Sequence, residues 1–287
     1  MRCNGRQPTN AADNARRAVT DALTLPQSSA RGRAGRTTLS RSLTARQDAF
    51  GRSLLDYLHG KPGRQLVERS DGLIDAQSDT GMYFQLYAQW SDYERWAADL
   101  ARGRVLDVGC GAGRFALHLQ ERGCEVVGID TSPGALEVCR ARGVRDVREI
   151  ALADVGPELG TFDTILMMGN NFGLFANAGR TRRLLRRLHR LTTADARIVA
   201  EVLDPYRTDD PLHLGYHEQN RRRGRMAGQI RLRVRYHNLR TPWFDYLFVS
   251  ADELRTLAAP TGWHVVQILE SGGLTYVAVL EKAKAGE

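Results

Sequence analysis

Cysteine is scarce: the 287 residues include four, Cys3, Cys110, Cys124 and Cys139, and no two of them form a CxxC pair. That excludes a disulfide framework and a zinc ribbon, and reduced thiols fit a cytoplasmic chain. Long apolar runs are missing as well. The longest, at 164–168 and 126–129, fall far short of the roughly 18 residues a membrane span needs, and no apolar signal core follows the start. Lysine is almost absent, because Lys61, Lys282 and Lys284 are the only ones among 41 basic residues, so arginine carries the net charge of +8. Most of that charge sits at one end. Residues 1–60 hold ten Arg against four Asp and account for +6, leaving the rest nearly neutral and a nucleic-acid partner poorly supported.

What is present divides the chain into three. Residues 1–41 are rich in Arg, Ser, Thr, Ala, Asn and Gly with few large apolar side chains, and read as a disordered Arg-rich tail. Residues 42–100 read as an N-terminal helical cap segment, with Leu43, Phe50, Leu54, Leu55 and Leu58 at helical spacing and a second helix over 83–100. Residues 101–287 form the main domain. Strand and helix patterns alternate there at 104–108, 115–122, 125–129, 133–142, 146–150, 163–168, 182–191 and 197–203, predicting an α/β, doubly wound, mostly parallel sheet. An insertion at about 205–250 follows, in which Ile230 to Tyr236 alternates apolar and Arg residues and 243–249 supplies a partner strand, predicting an antiparallel hairpin. A helix at 252–259 and strands at 265–269 and 275–280 complete the domain.

The segment VLDVGCGAGRF at 105–115 runs from a buried strand through Gly109, Gly111 and Gly113 into a helix. Glycines permit a tight turn and close approach of a ligand, and the helix start presents free N–H groups, so a nucleotide-like ligand is expected. Two details favour S-adenosylmethionine over a dinucleotide. Arg114 stands where a pyrophosphate-binding turn usually has its third Gly, and Asp107 beside the turn would repel a pyrophosphate but suits the ammonium of a methionine moiety. At the end of the next strand Asp130 is placed to accept hydrogen bonds from ribose hydroxyls, with Thr131 beside it; Met168 flanks the fourth strand's end.

Asp107-Val-Gly-Cys-Gly-Ala-Gly113, Gly128-Ile-Asp130 and Phe162-Asp163 resemble motifs I, II and IV of the class I, Rossmann-like methyltransferases, of the small-molecule type. The resemblance covers about residues 80–287. It implies a methyltransferase domain with a seven-stranded sheet of order 3-2-1-4-5-7-6, the last strand antiparallel, and an adenine contact at Asp154. Tyr83 and Tyr87 resemble the tyrosines of a helix that covers the cofactor in small-molecule relatives.

Transfer from a sulfonium rests largely on alignment and desolvation, with a base needed mainly for a hydroxyl acceptor. The segment at 167–175, MMGNNFGLF, leaves the fourth strand on the ligand side, putting Asn170 forward as a catalytic residue and Asn171 as a substrate contact. It contains neither the Asn/Asp-Pro-Pro-Tyr pattern of nucleic-acid amine methylation nor the Pro-Cys of cytosine C5 attack. From the insertion, His213 and His217 are candidate bases, and Tyr216, Trp243 and Tyr246 candidate walls of the acceptor pocket. The two histidines stand at helical i, i+4 spacing without a third ligand, so no metal is expected. The reading is a small-molecule N- or O-methyltransferase; the alternatives are an RNA- or DNA-modifying enzyme using the basic tail and a non-catalytic nucleotide-binding module.

Overall fold

A computed structural model describes residues 43–283 apart from Pro62. The expected tail at 1–41 lies outside them. The helices are α1 (Ala49–Leu58), α2 (Asp92–Asp99), α3 (Arg114–Glu121), α4 (Pro133–Arg142), α5 (Ala178–Arg190), α6 (Pro211–Arg222) and α7 (Ala251–Ala258). The strands are β1 (Arg64–Arg69), β2 (Ile74–Asp79), β3 (Arg104–Val108), β4 (Glu125–Asp130), β5 (Asp146–Glu149), β6 (Phe162–Met167), β7 (Thr192–Leu203), β8 (Gln229–Tyr236), β9 (Leu239–Arg240), β10 (Phe244–Leu247), β11 (Trp263–Glu270) and β12 (Thr275–Lys282).

Seven strands form the main sheet in the order β11-β12-β7-β6-β3-β4-β5. Numbered within that sheet, this is the expected 3-2-1-4-5-7-6, with β12 antiparallel to β7 and the pairs from β5 through β7 parallel. Parallel strands buried on both faces need apolar residues throughout, and Leu106, Ile165, Ile198 and Val199 are fully enclosed. The end of the core farthest from β5 is closed by two large side chains whose polar atoms are satisfied. Trp263 donates Nε1–H to Leu185 O at 3.0 Å, and the Tyr276 hydroxyl donates to Val249 O at 3.0 Å. Helix α4 has the ends that its sequence announces: Ser132 Oγ accepts from Ala135 N, Pro133 opens the first turn, and Gly143 closes the helix at φ 98°.

Two sequence expectations need correction. The stretch 83–100 is not one helix, but 3-10 turns at Thr80–Phe84 and Tyr87–Gln89, an extended Leu86, and then α2. Local side-chain bonds interrupt it. Gln89 Oε1 accepts from Leu86 N at 2.9 Å, and Glu94 accepts from both Ser91 N and Ser91 Oγ, a capping box that restarts the helix. The segment 42–100 is therefore not purely helical, and it also contains the antiparallel pair β1–β2.

The insertion is likewise more than a hairpin. Strands β8 and β10 pair as expected, Leu232 opposite Phe244 and Ile230 opposite Tyr246, but the other edge of β8 takes β1. The result is a second sheet, β10-β8-β1-β2, with β9 on β8, preceded by α6, whose cap Asp210 accepts from Leu212 N. Two of the β8 arginines, Arg233 and Arg235, are committed within the fold. Glu68 on β1 accepts from Arg233 Nε and Nη2 at 2.8 and 2.9 Å and from Arg235 Nη1 at 3.3 Å.

Candidate functional site

The turn after β3 carries three glycines at positive φ. A Cβ on Gly109 would lie 2.5 Å from Asn171 Nδ2, and one on Gly113 would lie 2.6 Å from Val144 Cγ2, so both positions are closed to larger residues. The turn is held from two sides. Ile129 O accepts from Gly109 N and Cys110 N, and Asn171 Nδ2 donates to Val108 O at 2.9 Å and Gly109 O at 3.0 Å. Across it, Asp130 accepts from Gly111 N at 3.1 Å and Ser132 N at 3.0 Å.

Helix α1 covers this turn. Its cap residue Asp48, 6% exposed, accepts from Gly51 N at 2.8 Å while also receiving Ser132 Oγ at 2.7 Å and Gly134 N at 2.8 Å. One carboxylate thus caps two helices and brings the Phe50 ring above Gly111, edge-on to Tyr83 at 5.3 Å. The turn's own acid is left unmatched. Asp107 is 3% exposed, and its Oδ2 has no hydrogen-bond partner. Burial, with the Asp130 charge adding to it, pushes the Asp107 carboxyl up to about 7; burial also raises Asp130, to about 6.

A cavity of about 610 Å³ starts at the glycine turn and runs to the second sheet. On the far side the Tyr246 hydroxyl donates to Asn170 O at 2.6 Å, and Gly173 has no Cβ because the Tyr246 ring occupies that space. Asn170 sits at φ 62°, and its Oδ1 is buried without a partner. Glu201, near the end of β7 and 5% exposed, accepts from Gly169 N at 2.7 Å; burial raises its carboxyl above the ordinary range. His217 is buried with Nδ1 unpartnered, and burial lowers its pKa, keeping the ring neutral; His213 Nδ1 is 3.5 Å from Thr208 Oγ1.

The cavity brings together Tyr83, Asp107, Gly109, Gly111, Asp130, Thr131 and Met168 on one side. Asn170, His213, His217 and Tyr246 also line it, as does Asn171, which sits against the glycine turn. Five residues expected at the site stand off the lining. Gly113 begins α3 behind the turn, and Asp154 is exposed, with Ala151 and Leu152 facing the cavity in its place. Tyr216 packs with Ile230 and Leu232, its ring covered by the Arg69 guanidinium at 4.3 Å and its hydroxyl 3.3 Å from Ser70 Oγ. Trp243 lies under Arg233 at 4.5 Å. Tyr87 stacks on His118 at 4.2 Å, also off the cavity. Asn171 lines the space, yet its amide donors are spent on the glycine turn, which makes it a clamp on that turn.

Three contributors were missed in the sequence. Asp48 had a readable signal as an acid just before an amphipathic helix. Glu201 is the lone charge in the otherwise apolar run Ile198 to Leu203, which was also legible. The buried ion pair of Glu94 with Arg114 joins residues 20 positions apart and left no local trace.

A family profile described as a methyltransferase domain matches residues 105–195. The fold is similar to a SAM-dependent methyltransferase from Bacteroides fragilis crystallised with S-adenosyl-L-homocysteine, with 30% identity and TM-score 0.74 over 86% of this chain and all of that one. The ubiquinone biosynthesis O-methyltransferase of Xanthomonas oryzae pv. oryzae is 36% identical over 83 residues, which is 27% of this chain and 35% of the relative. The magnesium-protoporphyrin O-methyltransferase of Rhodobacter capsulatus is 36% identical over 74 residues, 24% of this chain and 33% of the relative. The chain thus aligns with about a third of the length of these curated relatives.

Proposed function

Because the chain belongs to the S-adenosylmethionine-dependent methyltransferases, as the full-length likeness to the Bacteroides fragilis protein shows, we propose that it methylates a small molecule held between the glycine turn and the second sheet. The observation that carries this reading is the buried, unpartnered Asp107 at one end of a cavity whose other end is walled by side chains of a separate sheet. The residues fit the family cofactor. Asp107 offers an acceptor to the methionine ammonium, and Asp130, whose carboxylate has about four acceptor positions, keeps capacity for a ribose hydroxyl beyond the backbone N–H groups of Gly111, Thr131 and Ser132. Phe50, Tyr83, Thr131 and Met168 enclose the space between them. When bound, the cofactor supplies a methyl group on a sulfonium.

The protein's own part is to align an acceptor and to keep water out. Tyr246, fixed by its bond to Asn170 O, gives an apolar wall. Asn170 Oδ1 and the neutral His217 ring offer acceptors to a hydroxyl or amine, and His213 lines the same wall. The acceptor atom is N or O, in keeping with the O-methyltransferase names of the curated relatives. Among the described residues no helix is long and apolar enough to cross a membrane. Some of the insertion's arginines are paired within the fold, Arg233 and Arg235 with Glu68 and Arg221 and Arg222 with Glu218.

The test is to incubate the full chain with methyl-labelled S-adenosylmethionine and separate low-mass, RNA and protein fractions of a cell extract. Label is expected in the low-mass fraction alone. Label in RNA or protein, or in no fraction while S-adenosylhomocysteine binds tightly, would replace this reading with a macromolecular acceptor or a binding module.

A further inference from the structure

Two residues near the ends of β6 and β7, Asn170 and Glu201, line the cavity with oxygen acceptors for which no side-chain donor is found among the described residues. Glu201 is the charge within the apolar run of β7, two residues before its end, and lines the cavity. Its Oε2 is anchored by Gly169 N at 2.7 Å, and the Asn170 backbone N–H faces it as well. A carboxylate has about four acceptor positions, so these backbone donors leave it with capacity to spare. Among the described residues no Arg, Lys or His lies within ion-pair distance of it. The nearest cation, Arg114, is bound to Glu94. One residue beyond Gly169, Asn170 Oδ1 is buried and has no partner. Asn170 is held rigidly, at φ 62°, with its carbonyl accepting from both the Tyr246 hydroxyl and Gly173 N.

Two acceptors with unused capacity on residues lining one cavity select a donor. An unsatisfied buried acceptor costs about 1–3 kcal/mol, and more for a charged one, so a ligand that brings O–H or N–H is favoured over one that brings only lone pairs or hydrocarbon. We infer that Glu201 and Asn170 together bind the reacting O–H or N–H of the methyl acceptor and that Glu201 takes its proton, an inference resting on the methyl-transfer reading above. The step balances for a neutral hydroxyl or amine. A lone pair of the acceptor oxygen or nitrogen forms the bond to the methyl carbon, the carbon–sulfur bond breaks with its electrons remaining on sulfur, and the displaced proton goes to a Glu201 oxygen. The sulfonium charge is lost, and the proton carries the balancing charge. Asn170 orients the group and takes no proton. A carboxylate oxygen or a carbon nucleophile offers no donor to either residue.

Burial keeps Glu201 above the usual carboxylate range, with Glu94 adding to the effect and Arg114 and the backbone N–H groups opposing it; the Tyr93 and Tyr246 phenols also face it. A raised carboxylate is a better base once ionised, and the fraction ionised grows with pH.

The experiment compares wild type with Glu201→Gln and Glu201→Asp. Methyl-labelled S-adenosylmethionine at saturation is the donor, and the probes are the low-mass extract fraction and a panel of primary amines, secondary amines, phenols and carboxylic acids. Glutamine can still accept the Gly169 N–H, so the turn persists while the base is lost. Glu201→Gln should slow transfer by about 100-fold or more, with the S-adenosylhomocysteine Kd within about threefold of wild type. Glu201→Asp should retain part of the rate. The wild-type kcat should rise with pH along an acid limb that Glu201→Gln lacks, and the labelled product should carry its methyl on an amine or hydroxyl. Methyl esters or C-methyl products would overturn the inference. So would an undiminished Glu201→Gln rate, or an acid limb that survives in Glu201→Gln and disappears in His217→Gln. If Glu201→Gln loses S-adenosylhomocysteine binding and Glu201→Asp, still binding it, keeps the full rate without an acid limb, Glu201 is only a brace for the turn. Failure of wild type to label any probe strikes the underlying methyl-transfer reading; the other outcomes strike this inference alone.

Discussion

Buried and with no partner for its Oδ2, Asp107 costs the fold stability once it is ionised. Its folded-state carboxyl titrates at about 7, against roughly 3.9 for an unperturbed Asp, so the folded protein holds this proton more tightly than the unfolded chain does. The stability that comes with the proton is complete at low pH and is lost as pH rises through about 7. Asp107→Asn, neutral throughout, should therefore stabilise the protein without cofactor by on the order of 2 kcal/mol at about pH 8, measured by denaturant unfolding, and leave it unchanged near pH 4. Cofactor binding runs the other way. An ammonium favours the carboxylate, so S-adenosylhomocysteine should bind more weakly by up to about tenfold per pH unit below 7, releasing a proton on binding, and Asp107→Asn should bind poorly at every pH. Calorimetry in buffers of different ionisation enthalpy reads both. A flat affinity between about pH 6 and 8 would show that the side chain ionises outside that window. Glu201 and Asp48 each stood in the sequence as an acid at an informative place, whereas nothing local distinguished Asn171, whose amide is committed to backbone carbonyls 62 and 63 positions away.

At the scale of elements, α1 is joined to the cofactor side through one carboxylate. Asp48→Ala removes a helix cap and also strips Ser132 Oγ and Gly134 N of their acceptor, so a loss of about 2–4 kcal/mol is expected in denaturant unfolding. The same variant should weaken S-adenosylhomocysteine binding, since Phe50 would no longer be held above Gly111. Unchanged affinity in a destabilised variant would mean that α1 merely rests on the turn. Elements with local signatures were legible. Strand β3 with its glycine turn, and α4 with Ser132, Pro133 and Gly143, announce themselves within a few residues. Strands β1 and β2 do not. Arg64–Arg69 reads Arg-Gln-Leu-Val-Glu-Arg, too polar to suggest a strand, and it becomes one because β8 supplies the apolar partners and Glu68 meets Arg233 and Arg235. The single helix expected over 83–100 failed for a related reason: Ser91 and Glu94 restart it, and Glu94 is held by Arg114 from α3.

For the whole molecule, residues 1–41 carry few large apolar side chains to bury, and the described lining of the cavity runs from Leu43 to Leu274. Removing residues 1–41 should leave S-adenosylhomocysteine affinity within about twofold and the unfolding midpoint nearly unchanged, whereas a large drop in either would tie the arginine-rich segment to the fold. The seven-stranded order and the glycine turn were readable because parallel βα units repeat a local pattern. The second sheet was not, since its strands come from distant parts of the chain. Glu68 and Arg233, which tie β1 to β8, are 165 positions apart, while β3 and β4 pair across a single helix. On a ribosome this separation becomes time. At about 5–20 residues per second, Glu68 is synthesised some 8 to 33 seconds before Arg233, its partner on β8, so β1 has only β2 to pair with until then. The glycine turn at 109–113 is also synthesised well before β8, so the chain spells out its tight turn long before it can complete the sheet that faces it across the cavity.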